Sequence, residues 1–245
     1  VCVREEVALV AGVIKVLVLG RPEDKLRVFE ESVEEALASD LVGTGVSLLE
    51  LPVALRGTHF LLSFWGVQEA MVTGESGAWE QLCSDAVATI MLFDLTRPST
   101  LSCMKDLYKA LRKYNKFAVP VLLGINYCQF CDRSEEDRTR IVAMARKCAR
   151  AMKCPLIFAD SEPLINVTKL YTVLLQLVLS LPLSVEEEHD PDFPLVECTP
   201  PPVPERGSSP AQPSPAPPLE VIRIPSPPTT GPTIPFLSHR DYEEG

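Results

Sequence analysis

The chain has 245 residues and a formal net charge of −10, and most of its 23 prolines lie after Leu181. From Ser184 onward there are 3 Lys+Arg against 11 Asp+Glu, leaving a near-balanced 20 against 22 before it. A near-neutral first part with an acidic remainder gives no electrostatic case for nucleic acid, and no run of about twenty apolar residues suits a membrane span.

The first part is long enough for one sizeable core, whereas the Pro, Ser, Thr and acidic residues beyond it bury too little apolar surface to offset ordering entropy. This predicts an N-terminal extension over 1–12, one domain over 13–183 and a disordered, acidic, proline-rich tail over 184–245. No secretory signal is visible, and the C-terminal Asp-Tyr-Glu-Glu-Gly carries no lipid-anchor motif. The 8 cysteines are scattered through apolar segments, which suits reduced thiols in a cytoplasmic setting.

In chain order, Val13 to Gly20, apolar but for Lys15, reads as the first buried strand, and Glu23 to Ala38 reads as the helix after it. The turn between them is Gly20-Arg-Pro-Glu-Asp-Lys25-Leu-Arg27. A phosphate-cradling P-loop needs a second glycine, then Lys and a hydroxyl. Here Lys25 takes the second glycine's place, or serves as a displaced lysine, and Leu26 or Arg27 replaces the hydroxyl. Pro22 removes an N–H, and Glu23 and Asp24 place negative charge where phosphates would sit. The stretch therefore reads as a plain βα turn.

Val46 to Leu55 and His59 to Trp65 flank Arg56-Gly57-Thr58, which predicts a hairpin. His59 reads as an ordinary strand residue. Trp79 to Cys83 reads as a short helix. Ala86 to Phe93 and Val119 to Ile125 are short apolar runs, rich in β-branched residues, that read as strands buried on both faces. The helix between them, Thr100 to Tyr114, turns Leu101, Met104, Leu107, Tyr108 and Leu111 inward and Lys105, Asp106, Lys109 and Arg112 outward. Two buried strands joined by a crossover helix make a βαβ unit, hence a parallel, doubly wound sheet with ligands expected at the carboxyl ends of its strands.

Beyond Ile125, Cys128 and Cys131 have metal-like C-x-x-C spacing but no second pair, so they read as two loop thiols and no metal site is expected. Ser134 to Met152 is a helix with a basic outer face, Pro155 to Ala159 the last strand, and Asn166 to Leu181 the last helix. The tail offers Pro-x-x-Pro segments such as Pro210 to Pro213, suited to SH3/WW-type domains. It also carries Ser209-Pro210, Ser214-Pro215 and Ser226-Pro227, suited to proline-directed kinases and phospho-reading domains.

Strand, helix, hairpin and then three βα units is the order of a Ras-like small GTPase. Ser84-Asp85-Ala86, Leu92-Phe93-Asp94-Leu95-Thr96-Arg97 with Ser99-Thr100-Leu101, Asn126-Tyr127 after Gly124, and Ala145 to Phe158 resemble the septum-promoting GTPase family. The resemblance implies a six-stranded, mostly parallel sheet with helices on both faces, GTP or GDP with Mg²⁺ as cofactors, and signalling partners such as a kinase or scaffold in septation and mitotic exit.

The departures fall on the chemistry. Gly43 stands where the resemblance implies a Mg²⁺-binding threonine, with Thr44 one position off. Gly66, Glu69 and Ala70 replace the aspartate, glycine and glutamine of Asp-x-x-Gly-Gln. Ile125-Asn126-Tyr127-Cys128 replaces the guanine-reading Thr-Lys-x-Asp. What is left is a vestigial nucleotide site, Gly20, Lys25, Thr44, Asn126 and Tyr127, with no catalytic residue. The sequence thus points to a pseudo-GTPase that acts by protein interaction without a nucleotide cofactor; the alternative is a divergent GTPase that still binds GTP.

Overall fold

The computed structural model describes residues 10–20, 26–30, 37–41, 45–68, 71–72 and 77–198. One sheet of eight strands runs through them in the order β2-β3-β4-β1-β5-β6-β7-β8. The strands are β1 (Val10–Gly20), β2 (Leu37–Leu41), β3 (Val46–Leu55), β4 (Thr58–Val67), β5 (Ala88–Asp94), β6 (Val119–Ile125), β7 (Leu156–Phe158) and β8 (Val196–Glu197). The centre, β4-β1-β5-β6-β7, is parallel. Both edges are antiparallel, β2-β3-β4 on one side and β7-β8 on the other. The fold is therefore the mixed, mostly parallel α/β sheet expected, with the six expected strands present and one more at each edge.

Helices cover both faces. On one lie α1 (Arg27–Glu30) and α7 (Val167–Val178), where Phe29 stacks on Phe64 at 4.6 Å and Tyr171 closes the cluster. On the other lie α2 (Ala78–Ser84), α4 (Met104–Tyr114) and α6 (Glu135–Met152), burying Trp79, Leu107, Leu111, Ile141 and Ala145 against Leu17, Met91 and Leu122. Every residue of β5 is buried, as its unbroken apolar run requires of a central parallel strand. The β3–β4 hairpin closes on Arg56 and Gly57, both with positive φ (52° and 76°), the two-residue turn whose twist matches its strands.

Several expectations need correction. The helix expected from Glu23 to Ala38 cannot reach Ala38, because β2 begins at Leu37 and gives the backbone of β3 an antiparallel partner; of that span, 23–25 and 31–36 lie outside the described residues. The helix expected as continuous from Thr100 breaks at Cys103 into α3 (Ser99–Ser102) and α4. There Ser102 Oγ donates to the Ser99 carbonyl (2.6 Å) and Cys103 Sγ to the Thr100 carbonyl (3.1 Å), so side chains take acceptors that a regular helix would use. Cys128 and Cys131 lie on a short helix, α5 (Tyr127–Cys131), and not in a loop.

The tail boundary also moves. Residues 184–198 form a strap along the β7 edge, with Leu195 and Val196 fully buried. Gln176, fully buried in α7, donates to Ser184 Oγ (2.7 Å) and accepts from its N–H (3.2 Å). Asn166 donates to the carbonyls of Phe158 and Pro194, both at 2.9 Å, and Arg146 pairs with Glu197 at 2.5 Å. The disorder expected from Ser184 thus fails up to Cys198, because polar anchors tie down a segment whose composition promised none. The rest of the expected tail, 199–245, lies outside the described residues.

Candidate functional site

The carboxyl ends of β1, β4, β5, β6 and β7 meet at one end of the sheet, where ligands of doubly wound folds bind. Gly20 closes β1 there, in register with Leu92 of β5. Lys25, Gly43, Thr44, Glu69 and Ala70 lie outside the described residues. Of the expected vestigial site, Gly20, Asn126 and Tyr127 come to this end.

Just after the first turn, Leu26 is 5% exposed. It packs on Gly66, the penultimate residue of β4: a Cβ added at Gly66 would meet Leu26 Cγ at 3.2 Å and its two methyl carbons at 3.4 and 3.5 Å. Leu26, one of the two residues read as replacing the hydroxyl, is thus in contact with Gly66, read as replacing a carboxylate. One carries a side chain without a lone pair and the other carries none, so neither side chain can ligate a cation. The described part of the site does not fit Mg²⁺ bound in the manner that the resemblance implies.

After β5, Asp94 organises the next loop. Its carboxylate accepts from Thr96 N–H (2.8 Å), Thr96 Oγ1 (2.6 Å) and Arg97 Nε (2.7 Å). Burial alone would raise the Asp94 carboxyl, but the hydrogen bonds from Thr96, Arg97 and Asn126 outweigh it and hold the group below its ordinary range. Thr100 Oγ1 accepts from Asp94 N–H and donates to the Arg97 carbonyl, and Arg133 donates to the Thr96 carbonyl. The quoted Asp-Leu-Thr-Arg and Ser-Thr-Leu segments therefore form one self-satisfied structural knot.

After β6, Asn126 takes a left-handed conformation (φ 64°, ψ 45°) that turns the chain into α5. Tyr127 is 6% exposed; burial pushes its phenol up, and its Oη donates to the Asp192 carbonyl of the strap (3.2 Å). Tyr127 is a structural anchor in this state. Cys128, at the guanine-reading position, donates its N–H to Asp160 Oδ2 at 2.7 Å. Burial first, then the Asp160 carboxylate, pushes the Cys128 thiol up. Asp160, after β7, also accepts from the N–H groups of Ser161 (2.8 Å) and Glu162 (3.4 Å). The N–H groups of Cys128, Ser161 and Glu162 are thus all satisfied by the one carboxylate. The sequence gives no signal for this bridge, which joins residues 32 positions apart.

Among the described residues no group of three or more His, Cys, Asp and Glu side chains is placed to hold a metal ion, and no described helix is long and apolar enough to cross a membrane.

No family model matches the chain. Septum-promoting GTP-binding protein 1 of Schizosaccharomyces pombe is 36% identical over 155 residues, covering 62% of this chain and 76% of that protein. The chain belongs to the septum-promoting branch of the Ras-like small GTPases.

Proposed function

We propose that this chain is a pseudo-GTPase: a Ras-like domain used as a constitutive protein-interaction module in cytoplasmic septation and mitotic-exit signalling, with a kinase or scaffold as partner. The observation that carries this reading is the apolar Leu26–Gly66 contact. A GTPase switch orders its loops through Mg²⁺ and γ-phosphate contacts, and Leu26 packed on Gly66 offers no side-chain ligand for the cation. A change at one position alone would leave a strained or unpaired group. Here a large side chain fills what a glycine vacates, which supports a domain settled without the cation. The second reading, a divergent small GTPase that still binds GTP or GDP with Mg²⁺, is favoured by the GTP-binding designation of the fission-yeast relative.

The partner surface we assign is the outer face of α4, where Lys105 and Lys109 are exposed. Proline-rich segments after Cys198 add sites for SH3/WW-type domains. Affinity capture with and without added GTP tests the reading. Partners should be held equally in both conditions and lost on Lys105→Glu with Lys109→Glu. Partners recruited only with GTP would overturn it.

A further inference from the structure

Among the described residues the most exposed large hydrophobic side chain is Phe117, at 94%. It stands in the turn between α4 and β6, and one buried side chain, Asn115, builds that turn. Asn115 donates through Nδ2 to the Cys83 and Ala86 carbonyls (2.6 and 2.7 Å). Its Oδ1 accepts from the N–H groups of Phe117 (2.9 Å) and Ala118 (2.8 Å). Arg112 donates to the Lys116 carbonyl as well. The turn is thus fixed from beneath, and the aromatic ring at its tip is held out into solvent.

Phe117 is part of a patch. Val16, Ala88 and Val119 are level with one another across the neighbouring strands β1, β5 and β6, and Val13, Val87 and Phe117 lie just before that level, at the amino ends of the three strands. Val87 continues the pairing, its N–H donating to the Lys15 carbonyl and its carbonyl accepting from Val119 N–H. Val13 has the parity of Leu17 and Val87 that of Met91, and both of those face the α4 side of the sheet. With Tyr114, in the last turn of α4, these three make up four of the eight exposed large hydrophobics among the described residues.

Cations rim the same end. Arg112, Lys113 and Lys116 fall close together, and no carboxylate lies between Leu107 and Val119. Asp85, just before Ala86, is matched by Lys15 at 2.9 Å. The stretch 138–153 holds more cations, but Arg138, Arg140 and Arg146 in it are paired with Asp192, Asp137 and Glu197, and its exposed large hydrophobic is Met144 alone. Positive charge and exposed aromatic surface therefore coincide at the tip of α4.

We propose that this tip docks on an anionic lipid bilayer, with Phe117 and Tyr114 entering the boundary between headgroups and acyl chains and Arg112, Lys113 and Lys116 meeting the negative headgroups. Aromatic rings favour that boundary, and basic side chains beside it are drawn to anionic lipid. A projecting ring suits a fluid surface that closes around it, whereas a protein would have to offer a preformed pocket. Lysine ammonium groups, flexible point charges, suit scattered headgroups, where a fixed carboxylate would favour the guanidinium fork. The prebuilt turn also spares the entropy of ordering a loop on binding. The docking does not rest on the partner reading above, which is scored on Lys105 and Lys109.

The full chain is sedimented with vesicles of phosphatidylcholine alone or of phosphatidylcholine and phosphatidylserine in equal parts. It should bind the mixed vesicles, bind the neutral ones far less, and lose affinity as salt rises. Phe117→Ser should weaken binding about tenfold, as one aromatic side chain is withdrawn from the boundary, and Lys113→Glu with Lys116→Glu about tenfold or more. Arg140→Glu with Lys147→Glu, matched in charge but on α6, should weaken it about twofold at most. Phe117→Trp should show blue-shifted emission when mixed vesicles are added, beyond any change in the two native tryptophans, and thermal melts should show every variant folded. Equal binding to both compositions, undiminished binding of Phe117→Ser or of the Lys113 and Lys116 variant, or an unshifted emission would overturn the proposal. No binding to the mixed vesicles would also overturn it, making a protein the occupant of the tip, and would leave the partner reading standing.

Discussion

Gly66 looks in isolation like a lost aspartate, and in the fold it is the space that Leu26 fills. Gly66→Asp should therefore not restore a site. Its Cβ meets Leu26 Cγ, and its carboxylate is buried beside a hydrocarbon, so a loss of about 2–4 kcal/mol is expected in urea denaturation. Added Mg²⁺ should recover none of it; a Mg²⁺-dependent gain would mean that a cation pocket persists. Asp94 is the opposite case, a carboxylate whose partners give it a structural role. Its folded-state pKa is depressed, so its contribution is fully present above the unfolded value of about 3.9 and is lost as pH falls through the lower folded value. Asp94→Asn should cost about 1.5–3 kcal/mol at neutral pH, and its acid-unfolding curve should lack the part that wild type owes to this group.

Elements could be read from the sequence wherever burial on both sides leaves an unbroken apolar run, as in β5 and β6, or where a single stripe faces the core, as in α6 and α7. Legibility failed where backbone pairing or side-chain capture decides the outcome. β2 is strand because β3 offers it an open edge, and the break at Cys103 follows from two side-chain bonds to carbonyls. The strap failed for a third reason. Its Pro and acidic content resembles a tail, and only the adjacent Leu195 and Val196 hint at burial. Truncation after Leu183 should accordingly lower stability by about 3 kcal/mol or more, from two fully buried side chains and the lost Arg146–Glu197 and Gln176–Ser184 bonds. Truncation after Cys198 should leave the melting temperature unchanged. Equal melting temperatures for the two truncations would place the strap outside the cooperative unit.

At the scale of the whole molecule, one continuous, mostly parallel sheet runs through the described residues, while groups at the carboxyl ends of its strands are engaged by the protein itself: Leu26 on Gly66, Asp94 by Thr96 and Arg97, Cys128 by Asp160. The departures at Gly66 and Cys128 were legible as motif losses. That they fall on contacts satisfied within the protein was not, because each joins residues distant in sequence. The most direct measurement is titration of the purified full chain with fluorescent GTP and GDP, with and without Mg²⁺. No saturable, Mg²⁺-dependent binding is expected at micromolar protein and ligand. Tight Mg²⁺-dependent binding that Lys25→Ala abolishes would contradict the pseudo-GTPase reading and establish Lys25 as the displaced phosphate lysine.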